Sequence, residues 1–343
     1  MSLQEFTARY LPLVEEALRA AVANDEPALR AHYGMMRYHL GFADAEFRPA
    51  QVSAGKRVRP LLCLLCCAAA GGAPERAIPA AAAVELLHNF SLVHDDIEDN
   101  SLTRRHRPTV WALWGRAQAI NVGDALFALA RYTLGGLSRT GLPAEQVLAA
   151  GYTFDRACLA LTEGQHLDMA FEGRTDVTVR EYLRMVEGKT AALLAASAEL
   201  GALAAQAEAA RVAAFRRFGR ALGLAFQIQD DVLGLWGDEK VTGKSAASDI
   251  LQKKKSLPIV YALGCAGEAA TRLRALYAGP PFTPEVVPTV QALLLELGAR
   301  EFAEAQAQAY HEEALAALGA TGASGPPLAA LQALIASLLQ RTQ

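Results

Sequence analysis

The residues best placed to do chemistry are two clusters of aspartates, Asp95-Asp96-Ile97-Glu98-Asp99 and Asp230-Asp231. At roughly 100° per residue, His88, Asp95 and Asp99 share one stripe of a helix, while Leu86, Phe90, Val93 and Ile97 follow the other, apolar spacing. Carboxylates at i and i+4 repel unless water or a cation lies between them, and hard oxygen donors of this kind suit Mg²⁺. Alone, Asp-Asp-x-x-Asp more often marks a solvated acidic helix end. The adjoining stretch shifts that balance: Thr103-Arg104-Arg105-His106-Arg107 brings three guanidinium groups within about two helical turns of those acids. Arginine forks match phosphate oxygens, so acids and arginines together describe a Mg²⁺-diphosphate clamp.

The second cluster, Phe226-Gln227-Ile228-Gln229-Asp230-Asp231, ends a helix whose apolar face runs Phe218, Leu222, Ala225. The loop after it, Gly237 to Gly243-Lys244-Ser245, has the look of a nucleotide P-loop, but five residues separate its glycines and no strand precedes it. Beyond it lie Asp249 and Lys253-Lys254-Lys255, a run that elsewhere reads as a wetted basic face. Upstream, Gly55-Lys56-Arg57-Val58-Arg59-Pro60 opens a helix, where free N–H groups and the dipole favour anions. Two facing aspartate clusters and scattered cations suit the ionisation of an allylic diphosphate, in which charge gathers on the departing phosphate. The allylic cation left behind needs a closed apolar cavity with a few oxygen dipoles, and the released diphosphate can itself accept the final proton. No catalytic histidine is then required.

The elements that must position these groups are helices. The 343 residues are 52% hydrophobic, rich in Ala and Leu, and show no strand-like alternation. Turn signals at Gly71–Pro74, Gly141–Pro143, Gly279–Pro281 and Gly319–Pro327 separate helical blocks predicted near 4–22, 25–40, 55–70, 78–100, 117–137, 144–172, 178–206, 208–236, 256–266, 284–296, 298–318 and 327–341. No linker is long or polar enough to divide them, so the expectation is one domain, 1–343, an all-α antiparallel bundle. A net charge of −3 gives nucleic acid no basic surface to bind. The N-terminal stretch carries Glu5 and Arg9 and no apolar core, and the longest apolar runs fall short of a bilayer span, so membrane insertion is not expected and cytoplasmic residence is. The five cysteines, Cys63-x-x-Cys66 included, sit mostly in apolar helical sequence and read as buried thiols.

Taken in order, these motifs resemble those of the trans-isoprenyl diphosphate synthases, or polyprenyl synthetases, the family of farnesyl and geranylgeranyl diphosphate synthases. The match runs from about Gly55 to Leu263: Gly-Lys-Arg-x-Arg-Pro, Asp-Asp-x-x-Asp with its arginine pair, Glu163-Gly164-Gln165-x-x-Asp168, Gly188-Lys189-Thr190, Phe-Gln-x-x-Asp-Asp and Thr-Gly-Lys. The resemblance implies the isoprenoid synthase fold with a deep central cavity, normally as a homodimer, and head-to-tail condensation of isopentenyl diphosphate with an allylic diphosphate on Mg²⁺, three ions per site. By that resemblance Asp95, Asp99, Asp168 and Asp230 hold the ions, while Asp96, Asp231 and Asp249 act through water or supporting bonds. Lys56, Arg59, His88 and Arg105 correspond to the metal-free isopentenyl diphosphate site, and Arg104, Lys189, Lys244 and Lys254 to the cations on the allylic diphosphate. Thr190 and Gln227 are similar to residues whose oxygens face the carbocation. One departure is Gly234, where many members carry a third aspartate, with Asp238 four residues on, which implies weaker or water-mediated metal binding there.

In this family the floor of the cavity sets product length, and here Phe90 lies five residues before Asp95 and Ser91 four, with no insertion in the motif. That resembles the non-inserted geranylgeranyl synthases; farnesyl or longer products are the alternatives. A class I terpene cyclase would need no counterpart of Lys56, Arg59 and His88. A di-iron bundle would use Glu85-x-x-His88 and Glu163-x-x-His166 but leaves the arginines unexplained.

Overall fold

The computed structural model describes residues 1–52, 55–237 and 248–339, and within them helices carry almost all regular structure. The helices begin where local chemistry says they should. Ser2 accepts the Glu5 N–H while the Glu5 carboxylate accepts the Ser2 N–H, a reciprocal cap that opens α1 (Leu3–Ala21). Thr178 and Glu181 repeat the device at the start of α8 (Val179–Val186).

The chain groups into two compact units. Residues 1–155, 196–213 and 323–331 form the first; 156–195, 214–322 and 332–343 form the second. In the first unit α4 (Ile78–Glu98) is the central helix, packed on α1, on α3 (Val58–Ala69) and on α6 (Arg116–Leu134). Ala80 to Val84 and Leu86-Leu87 are wholly buried, and the run of small alanines lets neighbouring helices come close. Cys63, Cys66 and Cys67 line the buried side of α3, where burial pushes their thiols well up, that of Cys67 to about 12. These are inert core thiols. In the second unit Tyr182, Met185 and Val186 of α8 pack with Leu224, Ile228 and Val232 of α10 (Ala209–Trp236) and with Leu257 and Val260. A neighbouring cluster gathers Ile250, Ile259, Leu263, Leu273, Val290 and Leu294.

The predicted blocks hold with four corrections. A two-stranded antiparallel hairpin, Thr103–Arg104 with Arg107–Pro108, stands where no strand was expected. Its two central residues, Arg105 and His106, both have positive φ, 51° and 61°, the left-handed pair that a two-residue hairpin turn demands. The predicted 178–206 helix is interrupted by a π turn at Glu187–Ala191 before α9 (Ala192–Ala204). Helices at Val110–Trp114 (α5), Ser248–Leu251 and Glu268–Ala278 were not anticipated. Finally, Gly55 to Arg57 precede α3 rather than forming its first turn, with Arg57 at φ 47°.

Candidate functional site

The first unit brings its predicted residues together around the end of α4 and the hairpin. Asp95 is half-buried, Asp99 is exposed at the C-cap, and Asp96 is buried. Burial raises the Asp96 carboxyl to about 6, although Arg104 Nε donates to it at 2.8 Å. Arg104 reaches inward from its strand and Arg105 projects from the turn, its guanidinium lying over Gly55, where a Cβ would sit 2.9 Å from Nη2. Gly55, at φ 99°, therefore makes room for Arg105 beside Lys56. Lys56 is exposed. Burial depresses Arg59, with Glu85 opposing the shift and Arg105 adding to it, and the Arg59 Nε finds no partner. Burial, followed by repulsion from Arg59, Arg105 and Arg104, holds His88 far below its ordinary pKa, so its imidazole is neutral.

Underneath lies a buried ion network that sequence reasoning missed. Arg57 donates to Glu15 at 2.8 Å, to Glu85 at 2.7 Å and to the Leu40 carbonyl at 3.0 Å, and Asn89 donates to Glu85 at 2.9 Å. Glu85 sits one turn before His88, and Arg57 lies between Lys56 and Arg59, so one ion pair ties the two segments together. The spacing Glu85-x-x-His88 was the available signal. His39, at the end of α2 (Arg30–His39), was also missed; burial and then the nearby arginines push it down to about 3. Phe90 packs edge-on against His94 at 4.8 Å and tilted against Phe127 at 5.2 Å, while the Ser91 hydroxyl donates back to the His88 carbonyl.

The second unit builds a different arrangement. Gly164 of α7 (Ala144–Phe171) and Gly188 of the π turn touch so closely that a Cβ on Gly164 would lie 2.1 Å from the Lys189 nitrogen. This approach lets Lys189 Nζ reach Asp168 at 2.6 Å. π turns of this sort recur at functional sites because they rotate a side chain out of helical register. The Thr190 hydroxyl donates to Gln227 Oε1 at 2.8 Å, and Gln227 Nε2 donates to Asp231 at 3.1 Å. Asp231 also accepts from the Tyr182 hydroxyl and from the Leu257 N–H at 2.8 Å. Burial nonetheless raises it to about 6. Asp230, beside it, is exposed.

The lysine run is not one wetted face. Lys253 Nζ donates to the carbonyls of Leu276, Tyr277 and Gly279, and Lys255 is buried on the Glu172 carbonyl at 3.0 Å. Lys254 alone turns to the acids: loss of water favours its neutral form, but Asp249, Asp231, Asp168 and Asp230 outweigh that and raise its pKa. The space beside Gly234 is occupied as well, since a Cβ there would meet Asp249 Oδ2 at 2.4 Å. Lys244 and Asp238 lie outside the described residues.

The donors fit Mg²⁺: Asp168, Asp230, Asp231 and Asp249 offer hard carboxylate oxygens whose collective charge already favours an ammonium group, that of Lys254. Among the described residues no three acids, imidazoles or thiols close into a cage of their own. Mg²⁺ characteristically takes one or two carboxylates and completes its shell with phosphate oxygens and water.

Comparison with known proteins agrees with this chemistry. The sequence model described as polyprenyl synthetase matches residues 47–294. A (2E,6E)-farnesyl diphosphate synthase of Mycobacterium tuberculosis is 41% identical over 96% of this chain and 90% of its own. A geranylgeranyl diphosphate synthase of the same organism is 46% identical over 88% of this chain and 85% of its own. The crystal structure of a polyprenyl synthetase from Streptomyces coelicolor A3(2) superposes with a TM-score of 0.91 at 39% identity, covering 98% of this chain and 100% of that one.

Proposed function

This chain belongs to the polyprenyl synthetase family and has its all-α isoprenoid synthase fold, and on that premise we propose that it condenses isopentenyl diphosphate with an allylic diphosphate, head to tail, to give geranylgeranyl diphosphate. It is a trans-prenyltransferase making short-chain prenyl diphosphates; the C20 product is the finer part of the proposal. One observation carries the reading. Arg59 and neutral His88, both half-buried, are gathered with Arg105, and the Arg59 Nε is sealed from solvent and unpaired, beside a motif of acids. A half-buried guanidinium group with a sealed, unpaired nitrogen needs an anion, and a metal-free diphosphate answers that need.

In this reading Lys56, Arg59, His88 and Arg105 bind isopentenyl diphosphate, and Arg104, Lys189, Lys244 and Lys254 bind the allylic diphosphate. Asp95, Asp99, Asp168 and Asp230 would hold Mg²⁺, three ions per site, with Asp96, Asp231 and Asp249 supporting them. When bound, Mg²⁺ supplies positive charge to the departing diphosphate. The Thr190 hydroxyl proton is committed to Gln227, which supports its oxygen lone pairs facing the allylic carbocation. Phe90, with Ser91 beside it, would limit chain length.

A cytoplasmic homodimer and a single domain over 1–343 complete the proposal. The family match passes through segments of both compact units, which supports one domain. Among the described residues no helix is long and apolar enough to cross a membrane.

The test is incubation of the purified chain with isopentenyl diphosphate, Mg²⁺ and each of the C5, C10 and C15 allylic diphosphates, with products sized by chromatography. A C20 end product is expected from all three. Arrest at C15 would overturn the geranylgeranyl assignment, and absence of any elongation would overturn the reaction.

A further inference from the structure

We propose that His39 is a further binding residue for the isopentenyl diphosphate, donating its Nε2–H to a phosphate oxygen in the arginine-lined cleft of the first unit. The proposal rests on the reaction assigned above. Three observations meet at this residue. Its Nε2 is sealed from solvent and has no hydrogen-bond partner. It lines a narrow cleft of about 30 Å³, room for a single phosphate oxygen, with Asp96, Arg104, Arg105 and Arg107. Its backbone is fixed to the hairpin that carries those arginines: Arg107 donates to the carbonyls of Tyr38 and Ala43, each at 3.0 Å, its guanidinium lies 3.9 Å over the Tyr38 ring, and the Tyr38 hydroxyl donates to the Pro108 carbonyl at 2.8 Å.

A buried imidazole nitrogen without a partner is costly, and native structures tolerate one where a ligand completes it. The surroundings define that ligand. Guanidinium groups have no acceptor to offer an N–H, and Asp96, whose Oδ1 accepts from Arg104 at 2.8 Å, does not reach the imidazole. A cation is repelled by the arginines. An anion with several oxygens can satisfy the imidazole and the guanidinium groups at once, and a diphosphate has enough oxygens for both. A neutral imidazole adds direction rather than charge, so His39 fixes where the phosphate oxygens lie among flexible cations.

The experiment measures binding of isopentenyl diphosphate, and separately of inorganic pyrophosphate, to the full chain by calorimetry in excess chelator, together with KM for both substrates in Mg²⁺. His39→Phe should weaken isopentenyl diphosphate binding about 10- to 100-fold, the range for a hydrogen bond to a charged group. KM for isopentenyl diphosphate should rise in step and KM for the allylic substrate should stay within about twofold. His39→Gln, which places an amide N–H near the position of Nε2, should recover most of the loss. Unchanged binding in His39→Phe, an equal rise in both KM values, or a glutamine variant as weak as the phenylalanine one would each overturn the assignment. In unaltered protein, isopentenyl diphosphate should also shift the ¹⁵N imidazole resonance of His39, a readout independent of how the variants fold; an unmoved resonance counts against it. Wild-type protein that binds pyrophosphate through His39 but not isopentenyl diphosphate would leave the site standing and sink the prenyl-transfer reading instead.

Discussion

In each acidic motif the second aspartate is the buried one. Asp96 and Asp231 are both withdrawn from water and both raised to about 6 by that burial, while Asp99 and Asp230 are exposed. An aspartate near 3.8 in the unfolded chain and near 6 in the fold binds more protons when folded anywhere between those values. Its contribution to stability is therefore complete below about pH 4 and is lost as pH rises through 6. Metal-free protein should be more stable at pH 5 than at pH 7, by about 1.3 kcal/mol per group. Asp231→Asn should flatten that slope in a scanning-calorimetry series, and an unaltered slope would mean Asp231 is solvated. Adjacent aspartates were legible in the sequence, and the resemblance implied that the second of each pair acts indirectly. Helix spacing alone could not show it, because the burial of Asp231 depends on Tyr182 and Leu257, partners 49 and 26 positions away.

At the scale of elements, close approaches of backbone matter more than helix propensity. Gly234 stood out in the sequence as a missing carboxylate, but the structure fills the place from elsewhere, because Asp249 lies against it from the short helix Ser248–Leu251. Gly234→Ala puts a methyl group 2.4 Å from Asp249 Oδ2 and must displace that carboxylate. The Mg²⁺ concentration for half-maximal rate should rise severalfold, roughly the 3- to 10-fold that about 1 kcal/mol produces, with the melting temperature little changed. An unaltered metal requirement would show that Asp249 has no part in holding the ions. The Arg57–Glu85 pair is a second element-level constraint, joining the start of α3 to the middle of α4. Glu85→Ala leaves a buried guanidinium group short of its acid and should cost about 3–5 kcal/mol in denaturant unfolding. A loss under about 1 kcal/mol would mean Glu15 suffices alone. The unanticipated Glu268–Ala278 helix and the hairpin at 103–108 share one reason for escaping the sequence reading: both depend on positive φ, at Gly267 (105°) for the first and at Arg105 and His106 for the second, and no residue pattern required the latter two.

At the scale of the molecule, the helical character was plain from composition, but which apolar residues stay outside was not. Ile120 and Phe127, seven apart on α6, are 47% and 38% exposed, and Leu148 and Tyr152, four apart on α7, are 59% and 68% exposed. Each pair follows helical spacing and so reads as core in the sequence. The two helices are neighbours, since Arg131 pairs with Asp155. Adjacent apolar stripes left open to water mark an interaction surface, and a second copy of the chain meeting the same surface would bury both. This supports the homodimer, and Leu148→Asp with Tyr152→Asp should convert a particle of twice 36.5 kDa to one of 36.5 kDa in light scattering. The same face reaches the residue proposed to limit product length: Phe127, exposed on α6, packs 5.2 Å from Phe90. If the second copy holds Phe127 against Phe90, loss of the dimer loosens the floor, and the monomeric variant should make a longer and broader set of prenyl diphosphates, as Phe90→Ala should. A monomer whose products match those of the unaltered protein would show that Phe90 is held by its own helix, with Phe127 serving assembly alone.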